Sequence, residues 1–230
     1  MTDNNDLRGV ARDAAERLAN ATAAEILAWT AQTFGARWIV ASSMQDAVLL
    51  HLAAGVRPDV EVLFLDTGYH FPETLGTRDA VAVEYPRLRI VNAAPEQSVA
   101  DQEAEWGLLN RTDPDRCCRL RKVVPLQRTL AGYDAWVTGA RRADAATRAN
   151  LPVVGWDERN GLVKVNPLAA WSDETFAGYA AEHNVLVNPL LAEGYPSIGC
   201  APCTAKPLPG ADPRSGRWAG LAKTECGLHT

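Results

Sequence analysis

The chain has 230 residues, 47% of them apolar and 22% charged, which is enough to bury the core of one ordinary globular domain, with or without a functional tail. Its net charge of -5 argues against a broad nucleic-acid or membrane surface, which needs a basic excess, and no apolar run approaches transmembrane length. The polar start MTDNNDLRGVARD lacks the apolar core of a signal peptide, and five cysteines suit a reducing, cytoplasmic setting with metal or thiol chemistry rather than structural disulfides.

Apolar residues at helical spacing over residues 12–33 (Ala15, Leu18, Ala19, Ile26, Leu27) predict that the chain opens with helices. WIVAS (38–42) reads as a buried strand, followed by the helix QDAVLLHLAAG with Gly55 as its cap. VEVLFLD (60–66) is a second strand, a helix runs from about Pro72 to Val83, and LRIVNAA (88–94) is a third strand. RCCRLRKVVPLQRTLAG reads as a helix up to Gly132, bent at Pro125, and AWVTGA (135–140) as a fourth strand. Strands alternating with helices imply an α/β fold, a parallel sheet with helices on both faces. Beyond residue 150 the pattern changes to a short hairpin turning at Asn160-Gly161 and a helix capped by Ser172. From Gly194 onward, Pro, Gly and polar residues predict an extended tail.

The chemistry concentrates in two cysteine pairs. Cys117 and Cys118 are adjacent and flanked by Arg116, Arg119, Arg121 and Lys122; Cys200 and Cys203 form a C-x-x-C. Together they make four thiolates in two pairs, a four-cysteine site. Zinc with four cysteine ligands is the plainer reading, but adjacent cysteines suit one tetrahedral ion poorly, whereas a cubane cluster lets neighbouring sulfurs reach different irons. A redox C-x-x-C remains a third reading, although this one does not stand between a strand and a helix. Ligand type and spacing favour an iron–sulfur cluster, whose negative charge makes the nearby cations tolerable. Lys122, about one helical turn past Cys118, is then near the cluster.

The fifth cysteine, Cys226, lies in ECGLHT and reads as an accessible thiol on a mobile segment. Glu225 beside it disfavours the thiolate, while a protonated His229 or arginines gathered around an anion shift the balance back. With Arg214 and Arg217 of DPRSGRW, Cys226 makes the set needed to attack a charged sulfur or phosphorus centre. Three polar loops converge on the carboxyl edge of the sheet, where α/β folds bind ligands. They are ASSMQD, with Ser42 and Ser43 at an expected helix N-terminus; LDTGYHFPET, with Asp66, Thr67, Gly68 and His70; and GARR, with Arg141 and Arg142.

The combination CCRLRKVVPL, LDTGYHFPET, TGARR, GCAPC, GRW and ECGLH resembles the assimilatory adenylyl-sulfate (APS) reductases, relatives of the phosphoadenylyl-sulfate (PAPS) reductases, over nearly all of the chain after residue 35. The resemblance implies an adenine-nucleotide α-hydrolase-like fold, with a nucleotide-binding α/β domain over 1–203 and a mobile C-terminal tail over 204–230. It also implies a [4Fe–4S] cluster on Cys117, Cys118, Cys200 and Cys203 that is not the electron source. It further implies Cys226 as nucleophile, Lys122, Arg214, Arg217 and His229 around the phosphosulfate of APS, and a thioredoxin as electron donor. SSMQD lacks the glycines of the pyrophosphatase relatives, which disfavours ATP-cleaving chemistry. The tail after GRW reads AGLAKTE rather than a more aromatic run. PAPS reduction, an ATP pyrophosphatase, and a nucleotide-binding iron–sulfur or zinc sensor are the competing readings. The residues leave oligomeric state open, a homo-oligomer included.

Overall fold

A computed structural model describes residues 4–221, 223 and 225–228. Two helices open the chain, α1 (Asn4–Arg17) and α2 (Ala23–Phe34). Thr22 caps α2 by accepting from the Glu25 backbone N–H, and the Glu25 carboxylate accepts from the Thr22 N–H in return. Strands β1 (Trp38–Ala41), β2 (Glu61–Leu65) and β3 (Arg89–Ala93) then alternate with helices α3 (Val48–Val56) and α4 (Pro72–Glu84). Short helices α5 (Val99–Trp106), α6 (Leu109–Thr112) and α7 (Pro114–Cys118) lead into a π turn (Arg119–Val123), helix α8 (Val124–Leu130) and strand β4 (Ala135–Thr138). The hairpin β5 (Val154–Asp157) and β6 (Leu162–Val165) and helix α9 (Asp173–Glu182) complete the regular elements.

The six strands lie in one sheet in the order β3-β2-β1-β4-β6-β5. Five run parallel, and β5 pairs antiparallel with β6 at one edge. The expected parallel sheet is therefore extended by the hairpin. Side chains alternate across the pleat. Trp38, Val40, Val62, Phe64, Ala135 and Val137 face one apolar layer with α1, α2 and α3. Ile39, Leu63 and Trp136 face a second layer, where Leu126 and Leu130 of α8 cover them. Residues such as Ile26, Leu27, Trp38 and Leu50 are fully buried.

The chain steps outward from β1 to β2 and β3, then returns to place β4 on the other side of β1. This reversal opens a crevice at the carboxyl ends of the strands. Local expectations shift in three places. Helix α3 starts at Val48 and is closed by the backbone N–H of Arg57, not by Gly55. The helix carrying the cysteine pair widens into a π turn before Pro125, with the Val124 N–H reaching Arg119. That shift accommodates a proline that has no N–H to donate and whose ring would strike the preceding turn. The segment after Gly194 is folded back by short turns rather than extended. Thr204 bridges Arg217, Ala205 donates to the Gly216 carbonyl, and Trp218 is buried. A Cβ at Gly216 would stand 1.9 Å from the Ala205 oxygen, so only glycine permits this return. The expected boundary at 203/204 falls inside this hydrogen-bonded turn, since the Trp218 N–H donates to the Cys203 carbonyl at 2.9 Å. Among the described residues, no helix is long and apolar enough to cross a membrane.

Candidate active site

A cleft of about 500 Å³ opens at the carboxyl ends of β1, β2 and β4, a size that suits a nucleotide-scale ligand. Its floor is apolar, from Leu63, Leu65, Leu126 and Trp136, and its wall carries Lys122, Arg141, Arg148, Arg214 and Arg217. Four carboxylates, Asp46, Asp144, Asp173 and Glu225, stand among them. The Nε donors of Arg148 and Arg217 are buried with no hydrogen-bond partner among the described residues. Unmet guanidinium donors in a cationic wall call for an anion.

Cys226 stands in this same wall. The described residues around it fix its place: Glu225 is bound by Arg148 and Arg214, each at 3.2 Å, and Arg159 donates to the Gly227 carbonyl at 2.5 Å. Leu228 packs on the layer containing Trp136 and Leu162. The thiol that the sequence placed on an accessible tail is thus half-buried at the edge of the cleft.

Behind the cleft is a smaller hollow, lined by Cys117, Cys118, Cys200 and Cys203 with Tyr69, Asn110, Arg121, Lys122 and Trp218. Asp113 starts the first cysteine helix by accepting from the Arg116 N–H, with Pro114 in its first turn. The second pair is held against the LDTG turn, where Ala201 N–H donates to the Tyr69 carbonyl at 2.7 Å and the Thr67 hydroxyl lies 3.4 Å from Cys200 Sγ. Burial, reinforced by the neighbouring sulfurs, pushes the Cys117 thiol up to about 12. Burial likewise pushes Cys118 up to about 11, against the pull of Lys122 and Lys223. Such sulfurs stay protonated at neutral pH until a positive centre takes the protons' place. Among the described residues, no three His, Cys, Asp or Glu side chains converge as a single metal ion requires. The four cysteines that the sequence offers as metal ligands nonetheless line one hollow.

Lys122 belongs to both cavities. Burial pushes its ammonium down, but the sulfurs of Cys200, Cys226 and Cys118 outweigh that, and its pKa stays above the ordinary lysine value. Of the four cations beside the cysteine pair, Arg116 stacks over Trp106 with 4.1 Å between guanidinium and ring, and Arg119 is exposed. Arg121 is buried and donates to the Thr67 carbonyl and to Gln102 Oε1. It ties the LDTG turn to α5, so only Lys122 among the four faces the cleft.

Comparison with known proteins decides the family. The family model described as "Phosphoadenosine phosphosulfate reductase domain" matches residues 37–206. The chain belongs to this family. An adenosine 5'-phosphosulfate reductase from Mycolicibacterium smegmatis is 62% identical, covering 100% of this chain and 99% of the relative. Among solved structures, a phosphoadenylyl-sulfate reductase from Candida auris, in complex with phosphate, aligns with a TM-score of 0.72 and 30% identity over 85% of this chain and 96% of that one. An FMN adenylyltransferase from Candida glabrata shares the fold alone, with a TM-score of 0.55 at 13% identity over 87% of this chain and 74% of that one.

In this reductase-family chain the cleft brings together eight of the candidate residues, Ser42, Ser43, Thr67, Lys122, Arg141, Arg214, Arg217 and Cys226. The two serines are not at a helix N-terminus, however. Four residues separate Ser42 from Ala47, the residue capping α3, and the Ser42 hydroxyl accepts from the Met44 N–H at 3.1 Å. Asp66 and Gly68 lie outside the cleft wall. Asp66 Oδ1 accepts from the Gly68 N–H at 3.1 Å, and Gly68, at φ +73, has no room for a Cβ beside Val99 and Arg121. Arg142 also falls outside the wall and donates to the Leu151 carbonyl at 2.9 Å. His70 serves both as turn and as lining: Nε2 lies 2.8 Å from the Leu65 carbonyl, and burial holds its pKa below the ordinary value. His229 lies outside the described residues. Among the charged residues of the wall, the sequence reading passed over Arg148, Asp144 and Asp173, and included Asp46 only within ASSMQD. The Asp144–Arg148 spacing of i, i+4 was the available signal for the first.

Proposed function

We propose that this cleft reduces adenosine 5'-phosphosulfate to sulfite and AMP in sulfate assimilation, with Cys226 as the nucleophile. The observation that carries this reading is that Cys226 shares one cationic wall with Lys122, Arg214 and Arg217 at the carboxyl ends of the strands. A thiolate and a phosphosulfate repel each other, and these cations offset that repulsion as the two approach. The Cys226 thiolate attacks the sulfate sulfur; an S–S bond forms and the S–O bond to the phosphate breaks. AMP departs with the bonding electron pair, leaving Cys226 as an S-sulfonate. A thioredoxin-type dithiol then attacks Cys226 Sγ and expels sulfite with the S–S electron pair. Its second thiol resolves the mixed disulfide, so the dithiol is oxidised and the Cys226 thiolate returns. Lys122, buried and kept charged, is suited to steady the anionic charge at the reacting sulfur. His229 belongs to the same reading through the family resemblance.

Cys117, Cys118, Cys200 and Cys203 are the residues that would hold a [4Fe–4S] cluster, and what supports this reading is that all four line one hollow. When bound, that group supplies a cross-link between α7 and the C-terminal segment and negative charge beside Lys122. Five free thiols suit a reducing cytoplasm. The test compares sulfite formation from the two nucleotides with thioredoxin as donor, alongside iron and sulfide content. The expected result is a rate with adenosine 5'-phosphosulfate at least about tenfold above that with the 3'-phosphorylated nucleotide, in protein carrying about four irons per chain. Preference for the 3'-phosphorylated nucleotide would favour the second reading, which rests on the likeness to the C. auris reductase. A colourless, fully active protein with one stoichiometric zinc would remove the cluster.

A further inference from the structure

Six charged residues of the cleft wall form an unbroken alternating chain of ion pairs. Asp173, at the start of α9, lies 2.9 Å from Arg141, and Arg141 lies 2.9 Å from Asp144. Asp144 reaches Arg148 at 3.4 Å, Arg148 reaches Glu225 at 3.2 Å, and Glu225 reaches Arg214 at 3.2 Å. All six line the cleft. The last three are nearly enclosed, their side chains 13%, 14% and 18% exposed for Arg148, Glu225 and Arg214. Both oxygens of Glu225 accept from Arg148, at 3.2 and 3.3 Å, and the Thr147 hydroxyl adds a bond at 3.5 Å. One peptide bond separates this carboxylate from the nucleophile. On the far side of Cys226, Arg159 of the hairpin turn holds the Gly227 carbonyl. Both flanks of the thiol are therefore fastened to the region between β4 and β6, which carries none of the sulfur ligands.

We propose that Glu225 is a positioning residue whose carboxylate, clamped between Arg148 and Arg214, holds Cys226 at the cleft. The inference rests on Cys226 being the nucleophile. The physics is that of an enclosed charge cluster. With the carboxylate present, two guanidinium groups converge; with it neutralised, they repel, and the segment leaves its dock. Displacing a nucleophile by about an ångström slows attack by about a hundredfold. Arg214, released from Glu225, keeps its charge for the substrate anion, so substrate affinity does not fall with the rate.

Glu225→Gln keeps the shape and removes the charge. In single turnover at saturating adenosine 5'-phosphosulfate, S-sulfonation of Cys226 should slow by about a hundredfold, with KM unchanged or lowered. Tryptic cleavage after Lys223, whose side chain is only 10% exposed, should speed up in the substrate-free enzyme. Arg148→Gln should give the same pair of changes, and the double variant should be no worse than either single one, because both remove the same contact. A variant that matches the wild type in rate or in cleavage, raises KM with the rate intact, or adds its loss to that of Arg148→Gln overturns the latch. Wild-type enzyme that forms no S-sulfonate on Cys226 overturns instead the reading on which the latch depends.

Discussion

The sheet with its helices and the segment after Gly194 are held by different forces. In the sheet and its helices, side chains such as Ile26, Leu27, Trp38 and Leu50 are removed entirely from water, each worth about 1.5–3 kcal/mol of transfer free energy. The later segment has isolated anchors instead: Trp218, the Leu228 side chain, the Ala205–Gly216 return, and ion pairs of Lys223 with Asp115 and of Glu225 with two arginines. Yet this segment supplies Cys200, Cys203, Arg214, Arg217 and Cys226 to the candidate chemistry. Groups that meet a substrate and then a protein dithiol in the proposed mechanism are carried where docking contacts are few. The scaffold only has to present Lys122 and the strand ends.

The largest effect should come from severing the link between these regions. Cys200→Ser should lose the iron and with it the attachment of the later segment to α7, seen as loss of visible colour, of activity, and of several degrees in thermal midpoint. In the core between the helices and the sheet, Leu27→Ala should cost about 2–5 kcal/mol in denaturant unfolding, while iron content per folded molecule stays normal. Equal stability losses from Leu27→Ala and from Leu228→Ala, at the edge of the second layer, would erase the contrast. Lys122→Ala should slow sulfite formation by about 10²–10³-fold with iron near normal; iron lost together with the lysine would assign Lys122 to assembly of the sulfur site.

Asp46 should give the smallest effect and has a defined pH signature. Burial raises its carboxyl to about 6 from 3.8, against the Val48 N–H and Arg141, which favour the charge. Below about pH 4 both folded and unfolded chains hold the proton, and nothing is lost. Between the two values only the unfolded chain ionises, so stability falls as pH rises, and the full cost applies above about pH 6. Asp46→Asn, which keeps an oxygen for the Val48 N–H, should therefore stabilise the protein by about 1–2 kcal/mol at pH 7 and by almost nothing near pH 4. Denaturant unfolding at both pH values checks this.

Most of the sheet was readable because buried strands are continuous apolar runs and the helices between them carry periodic stripes. The helix α5 was not read, since only Gln102 of it is buried; its one local sign was Ser98 three residues before Asp101, the pair that caps it. At GARR the sequence could not separate the two arginines. In extended backbone, neighbours point to opposite sides, and Arg141, at φ -119 and ψ 154, sends its side chain into the cleft while Arg142 turns to Leu151. The serine loop was misjudged for a similar reason: Asp46, not a serine, accepts the Val48 N–H at the start of α3. The cysteine pairs were legible because their residue type and spacing have few other uses. Glu225 was legible only as a neighbour of Cys226, because its partners Arg148 and Arg214 come from loops with no periodicity.

The account turns on Cys226 as the group that accepts the sulfonate. Wild-type protein mixed with adenosine 5'-phosphosulfate and no reductant should gain a single SO3 group on the peptide that contains Cys226, by intact and peptide mass, and should release it as sulfite when reduced thioredoxin is added. Cys226→Ser should keep its iron and bind the nucleotide, yet gain nothing, because a serine hydroxyl is almost wholly protonated at neutral pH. Sulfonate found on another cysteine, or normal sulfite production by the serine variant, would contradict the mechanism.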